Sequence, residues 1–438
     1  MNRFTLFPTL VLAFALFLGT ARPNSAQTQV SSAATIKIGI SIVNSDPAGT
    51  TQLQGAKMAV EEINTAGGVL GKKFELIPVY NETRNYPRAQ ALVNTLIAEG
   101  AQYIITSGGS GMTMKAAEIT IPKNVMLITG SSSSPKISDL EDKDLVWRTV
   151  PSDAFQGRIA AVYMDTLKIK TAGLIYLDNP YGNELARTFR EVFEKRRGKI
   201  LATAKIPDAT NYDNVDFKAL ANQVFSQKPQ LIYIVSYGED GAKVINAAKP
   251  YFTGGYKPQL LGCDANYNND FLYGADQSLI EGMLGFVYIH PQNYPNYEKF
   301  NKKFEDFQSK SSNDAGEMSA TSLASLLGAV STNSYGATVY DAIYSIAYAM
   351  LKAKTTSPVE VAKMMRSIAN DNGDNATLIN VNEFSKAASI LAKGGNINYD
   401  GASGSLDFND TGDVISGAYI IWKIKDGKFD TAGTISFP

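Results

Sequence analysis

The side chains best suited to covalent or metal chemistry are nearly missing from this chain of 438 residues, which has one histidine, His290, and one cysteine, Cys263. Acid–base catalysis near neutral pH usually needs a group that titrates there, and histidine is the side chain best placed to do so. His290 precedes Pro291 at the end of a strand-like run, a position that suits a surface loop. No second histidine or cysteine can complete a zinc set or a nucleophilic relay, and no phosphate-cradling loop ending in Gly-Lys-Ser/Thr is present. The residues therefore argue for binding without turnover, and for no metal and no cofactor. One stretch does offer a grip. Ser107-Gly-Gly-Ser110 follows an apolar run and opens a helical one, where exposed backbone amides can hold an anion. Its glycines are too few for a dinucleotide fingerprint, so a carboxylate-bearing guest fits it better.

The elements that position this loop follow from hydrophobic spacing. From Ile36 onward, strand-like apolar runs alternate with amphipathic segments, the pattern of parallel sheets covered by helices. Leu53, Ala56, Val60 and Ile63 recur at helical spacing on one face, and Gly67-Gly68 ends that helix. Further strands and helices reach Thr129 and make one lobe. Around Trp147 to Ser152 the chain becomes extended and is broken by Pro151, which marks a crossing; Ser152 and Asp153 can cap the next helix. The alternation restarts at Ala172 and builds a second lobe of the same kind. The expected division is 35–151 with 286–415 for lobe one, and 152–285 with 416–438 for lobe two. The stretch 309–336 is rich in Ser, Thr, Ala, Gly and Asn, and Glu317 to Gly328 reads equally as a helix or as a flexible insertion. The fold class is α/β, with two doubly wound parallel-sheet lobes.

The amino-terminal residues add a compartment. Arg3 precedes an unbroken apolar run from Leu10 to Leu18, and Asn24-Ser25-Ala26 approximates the small-x-small pattern of a signal-peptidase site, so 1–26 reads as a cleaved leader. The run is too short to span a bilayer, which needs roughly 20 apolar residues. No cysteine stands near the cleavage site to carry a lipid anchor, so the mature chain is expected free in a periplasm. A single cysteine excludes a disulfide framework. The net charge of -1 falls by two to -3 when Arg3 and Arg22 leave with the leader, which attracts neither nucleic acid nor anionic lipid.

The order of segments now resembles a known family. Gln54-Gly-Ala-Lys-Met-Ala-Val-Glu-Glu-Ile-Asn-Thr-Ala-Gly-Gly68 is similar to the first helix of the branched-chain amino acid-binding proteins. The similarity continues through Tyr181-Gly182, Tyr237, Gly262, Tyr340-Asp341-Ala342, Gly404-Ser-Leu-Asp-Phe408 and Gly412-Asp413. The resemblance implies the type I periplasmic binding architecture: two α/β lobes joined by a three-strand hinge, closing on a small ligand for the permease of an ABC importer. A monomer is expected. The same resemblance leaves room for urea, a short amide or another small polar metabolite as ligand, and for a ligand-sensing module of a signalling system.

Site roles follow by the same resemblance. Ser110 matches the serine whose hydroxyl and amide hold the ligand carboxylate, which a helix N-terminus stabilises by about 0.3–2 kcal/mol. Ser131 matches the residue that offers a backbone carbonyl to the ammonium, and Ser133 the one that completes the carboxylate cradle. Their loop sits at the carboxyl end of a strand, where open α/β sheets bind ligands. Asp264 matches the acid that pairs with the ammonium, here one methylene shorter than the usual Glu; burying that ammonium unpaired would cost several kcal/mol. Tyr181 and Tyr237 match the tyrosines of lobe two that close over the guest. Two departures, Ala48 where leucine-type members carry an aromatic and Gly109 where they often carry a cystine, imply a roomier side-chain pocket.

Overall fold

Alternation along short apolar strands builds the first sheet in the computed structural model, which describes residues 35–43, 47–81, 85–208, 213–288, 294–315, 333–370 and 375–437. In β1 (Ile36–Val43), Ile38, Ile40 and Ile42 face one core, while Gly39 leaves room for Leu96 on the other: a Cβ there would lie 2.8 Å from the Leu96 Cδ1. β2 (Phe74–Asn81) lies on the outer side of β1. Tyr103 and Ile105 of β3 (Tyr103–Thr106), and Met126 and Ile128 of β4 (Met126–Thr129), join the first core, whereas Ile104 and Leu127 join the second. Burial on both faces is why β3 and β4 are apolar at almost every position. With β5 (Val146–Arg148) the order is β2-β1-β3-β4-β5, parallel throughout.

The crossover helices are α1 (Pro47–Thr65), α2 (Tyr86–Ala98) and α3 (Ser110–Thr120). α1 packs against the long helix Asn333–Ala353, with Gly55 and Gly336 at the contact: a Cβ on Gly55 would stand 2.2 Å from the Gly336 carbonyl oxygen. Small residues at both positions let the two backbones approach.

The second lobe repeats the plan with α4 (Asp153–Thr166), β6 (Thr171–Leu177), α5 (Pro180–Lys195), β7 (Lys199–Ile206), α6 (Phe217–Phe225), β8 (Leu231–Val235), α7 (Gly238–Ala248), β9 (Gln259–Gly262) and β10 (Leu284–Tyr288). A small sheet of β11 (Thr377–Ile379), β12 (Ile397–Gly401) and β13 (Gly404–Ser405) follows, and then β14 (Gly417–Lys425) and β15 (Lys428–Phe437) return to lobe two. The large sheet runs β15-β14-β10-β9-β8-β6-β7, and its last two strands in sequence are antiparallel additions. Trp422 of β14 fills space that Gly262 and Gly285 vacate; a Cβ at Gly285 would lie 2.0 Å from its ring.

The chain passes between the sheets after β5, between β10 and the helix Pro295–Ala315, and again before β14. Arg148 clamps the first and third passages together. Its N–H donates to the Gly412 carbonyl (3.1 Å) and its buried guanidinium to Asp413 Oδ1 (2.6 Å), the Ser134 carbonyl (2.9 Å) and Ser138 Oγ (2.7 Å).

Two expected boundaries shift. The second passage was expected at 286, but Phe286 and Val287 are buried in the lobe-two core and pair with Ile421 and Ile420, so β10 continues to Tyr288. The stretch 309–336 is narrower than its composition suggests: the helix Pro295–Ala315 carries its first residues, and Asn333 to Gly336 already open the next helix. The leader over 1–26, His290 and residues 317–328 lie outside the described residues. Among the described residues no helix is long and apolar enough to cross a membrane.

Candidate functional site

The carboxyl ends of β1, β3 and β4 converge on the lobe-one half of the cleft. Ser107 ties two of them, its Oγ donating to the Ser41 carbonyl (3.0 Å) and accepting from the Val43 N–H (3.2 Å). Gly108 and Gly109 follow at φ +94° and +93°, a conformation side chains rarely adopt. Ser110 then opens α3. It is buried, and its Oγ accepts the Ser134 N–H at 3.1 Å, which leaves its own proton to donate to an anion. Thr113 links Thr106 (2.7 Å) and Ser132 (2.8 Å), so β3, α3 and the serine loop move as one piece. Ser134 Oγ reaches lobe two, donating to the Pro180 carbonyl at 2.8 Å.

Lobe two presents an acid held from several sides. Asp264 starts a short turn after β9, and its Oδ1 accepts from the Tyr181 hydroxyl (2.6 Å) and from Gln156 Nε2 (2.9 Å). Its own N–H donates to Gln156 Oε1 at 3.1 Å, so one amide clamps both backbone and side chain. The same Nε2 lies 2.9 Å from Asp153 Oδ1, and Asp153 Oδ2 accepts from Ser133 Oγ at 2.7 Å. A hydrogen-bonded chain therefore runs from Ser133 in lobe one, through Asp153 and Gln156 at the start of α4, to Asp264 and Tyr181. Burial holds Asp153 well above the ordinary carboxylate value, and the nearby Asp264 raises it further, against Ser133, Arg148 and Gln156. Burial also raises Asp264, opposed by the bonds from Tyr181 and Gln156. The Cys263 thiol, buried beneath them, is pushed up to about 12, chiefly by that burial, and stays protonated and inert.

Between the lobes lies a small, narrow cavity. Ser131 and Asp264 stand on its wall with Gly130, Val150, Val287 and Tyr288, and the first turns of the helix Asn333–Ala353 close the other side with Ser334, Tyr335 and Thr338. Of the expected residues, Ser131 and Asp264 thus share one cavity, and Tyr181 holds Asp264 from behind. Ser110, Ser133, Tyr181 and Tyr237 do not line that cavity; Tyr237 stacks on Tyr181 (5.8 Å, 9°) and places its hydroxyl beside Gly109, one residue before Ser110.

Two expectations change here. With its proton given to Asp153, Ser133 Oγ can offer only lone pairs to a guest, so its hydroxyl suits the cationic end of a ligand rather than the carboxylate cradle. The room expected at Gly109 is occupied, since a Cβ there would lie 2.5 Å from the Tyr237 Oη.

Sequence reasoning missed Asp153 and Gln156 as parts of the site. Asp153 was legible only as a helix-cap residue, although the Asp-x-x-Gln spacing does place both on one face of α4. Val287, Tyr288, Ser334 and Tyr335 were also missed. Tyr288 is fixed by its hydroxyl, which donates to the Ser403 carbonyl (2.6 Å), and the Ser403 N–H is in turn held by Asp341 Oδ2 (2.6 Å). Among the described residues no group of three or more His, Cys, Asp or Glu side chains is placed to hold a metal ion.

Two sheets of this topology, joined by three passages around a cleft, define the type I periplasmic binding-protein fold. The chain belongs to the family described as the receptor family ligand binding region, whose pattern matches residues 51–427. It is 25% identical over 320 residues to the leucine-, isoleucine-, valine-, threonine- and alanine-binding protein of Pseudomonas aeruginosa, covering 73% of this chain and 78% of that protein. It is 24% identical to the Leu/Ile/Val-binding protein of Escherichia coli K12, covering 64% and 72% respectively. Among solved structures, a leucine-binding protein of Thermotoga maritima superposes with a TM-score of 0.70 at 20% identity, covering 92% of this chain and 99% of that one. A solute-binding protein of R. palustris in complex with benzoate superposes with a TM-score of 0.67 at 16% identity, covering 92% and 96%. These likenesses establish the fold, and the relatives are solute-binding proteins. Ligands as different as leucine and benzoate share this architecture, so ligand choice must be argued from the side chains of the cleft.

Proposed function

We propose that this protein is the periplasmic substrate-binding component of an ABC importer: it captures an amino acid between its lobes and presents the closed complex to a membrane permease. It works as a monomer and performs no catalysis. One observation carries the reading. Asp264 is fixed by Tyr181 and Gln156, yet keeps part of its surface open to the cavity it shares with the serine loop. An acid positioned at such structural expense suits a cation that arrives and leaves. The ammonium of an amino acid would repay the burial that holds Asp264 above its ordinary value, because an opposite charge nearby favours the ionised form. The negative end of the guest would meet the Ser110 hydroxyl and the N-terminus of α3. Side chains branched at Cβ, aliphatic or hydroxylated, are the first candidates, because a relative binds isoleucine, valine and threonine and because Val150 and Val287 face the cavity.

Isothermal titration of the purified protein with the twenty amino acids tests the proposal. Micromolar or tighter binding of at least one zwitterion is expected, with a large loss in Asp264→Ala. Absence of binding for every amino acid would remove the proposal.

A further inference from the structure

One polar atom of the cleft has no task in this scheme. The Ser131 hydroxyl oxygen is buried and has no hydrogen-bond partner among the described residues, while its residue shares the cavity wall with Asp264. The other serines of the loop are engaged: Ser132 with Thr113 (2.8 Å), Ser133 with Asp153 (2.7 Å) and Ser134 with the Pro180 carbonyl (2.8 Å). Thr338, across the cavity, is engaged too, donating to the Gly130 carbonyl at 2.8 Å. A buried hydroxyl without a partner is unfavourable and calls for an explanation. Alanine would fill the same space without that penalty.

We infer that the Ser131 hydroxyl is a specificity determinant, selecting a guest whose side chain carries a hydrogen-bonding group close to its Cα over an aliphatic guest of the same shape. The inference rests on the amino acid reading above and adds the chemical class of side chain. An aliphatic side chain would seal the hydroxyl off unpaired, whereas a hydroxylated one would both give and accept a bond. A site holding a buried polar group discriminates through the group that the wrong guest leaves unsatisfied. Ser334 and Tyr335 on the facing helix turn add polar surface to the same side-chain space.

Threonine and valine have nearly the same shape and differ by a hydroxyl in place of a methyl, so their affinity ratio isolates the effect. Isothermal titration of the full protein is expected to give a ratio of about tenfold in favour of threonine, which corresponds to ~1.4 kcal/mol. In Ser131→Ala the ratio should fall to about one, with a melting temperature no lower than that of the native protein showing that the fold is intact. Valine binding as well as threonine to the native protein would overturn the inference. So would an equal loss of both guests in Ser131→Ala, because the hydroxyl would then serve the ammonium they share. Both of those outcomes leave the amino acid reading standing; failure of every amino acid to bind the native protein removes that reading and this inference with it.

Discussion

Closure of the cleft should depend on the missing side chain at position 109. In Gly109→Ala the new Cβ would stand 2.5 Å from the Tyr237 Oη, against an ordinary contact distance that begins at 3.4 Å, a shortfall of about 0.9 Å. The atom behind that oxygen, Cζ, would be 3.5 Å away and would not clash. Overpacking of this size costs about 1–3 kcal/mol. Because Tyr237 belongs to lobe two and Gly109 to lobe one, the penalty falls on the closed form and weakens ligand binding by about 5- to 150-fold. The backbone adds a separate cost, since φ is +93° at this position and alanine resists it in open and closed forms alike. That part lowers the melting temperature but cancels from the closing equilibrium. Tyr237→Phe removes the clashing oxygen, so the double variant should bind better than the sum of the single losses allows, with a coupling of about 1–3 kcal/mol. Titration calorimetry on the four proteins of the cycle measures it, and small-angle scattering with and without ligand reports closure. Additivity within about 0.5 kcal/mol would refute the steric argument.

Other perturbations address the clamp, the latch and the wall. Tyr86 of lobe one donates its hydroxyl to Asp208 Oδ2 of lobe two, and Asn179 supports Asp208 at 3.3 Å; Tyr86→Phe should speed ligand release about fivefold in stopped-flow, worth ~1 kcal/mol, and leave association unchanged. Asp413→Ala strands the buried Arg148 guanidinium and should cost about 3–5 kcal/mol in urea unfolding. Asp341, held by Tyr399 and the Ala402 and Ser403 amides, is raised by burial to about 6. With the folded value above the unfolded one, its contribution to stability is complete below the ordinary carboxylate range and is lost as pH rises through about 6. Asp341→Asn should flatten the stability profile over that window, and should also destabilise the protein, because its amide would face a backbone donor.

Much of the fold is written in residue order. β3, β4 and β8 are apolar at nearly every position because both faces of each are covered, and the glycine pair after α1 ends that helix as its spacing predicts. The β14–β15 hairpin is half legible: the alternating run Ala418 to Ile424 and the Asp426-Gly427 turn can be read, but the strand beyond has an alternating, mostly exposed pattern that borrows its register from β14. In the site, Asp264 and the serine loop stand out because they end apolar runs. Gln156, Tyr288 and Tyr335 do not, because each acts through a partner more than a hundred residues away or through a helix turn that only packing brings to the cleft. Ser133 shows the limit of spacing alone, since its acceptor, Asp153, decides which end of a ligand its oxygen can serve.

The claim beneath all of this is that Asp264 answers a positive charge on the guest. The decisive measurement compares a bound amino acid with its deaminated carboxylic acid, titrated against the native protein and Asp264→Asn. The native protein should lose at least about a hundredfold in affinity when the ammonium is removed, and should bind the amino acid more weakly as pH falls and Asp264 takes a proton. In Asp264→Asn the gap between the two ligands should nearly close. Equal binding of both ligands by the native protein would contradict the account.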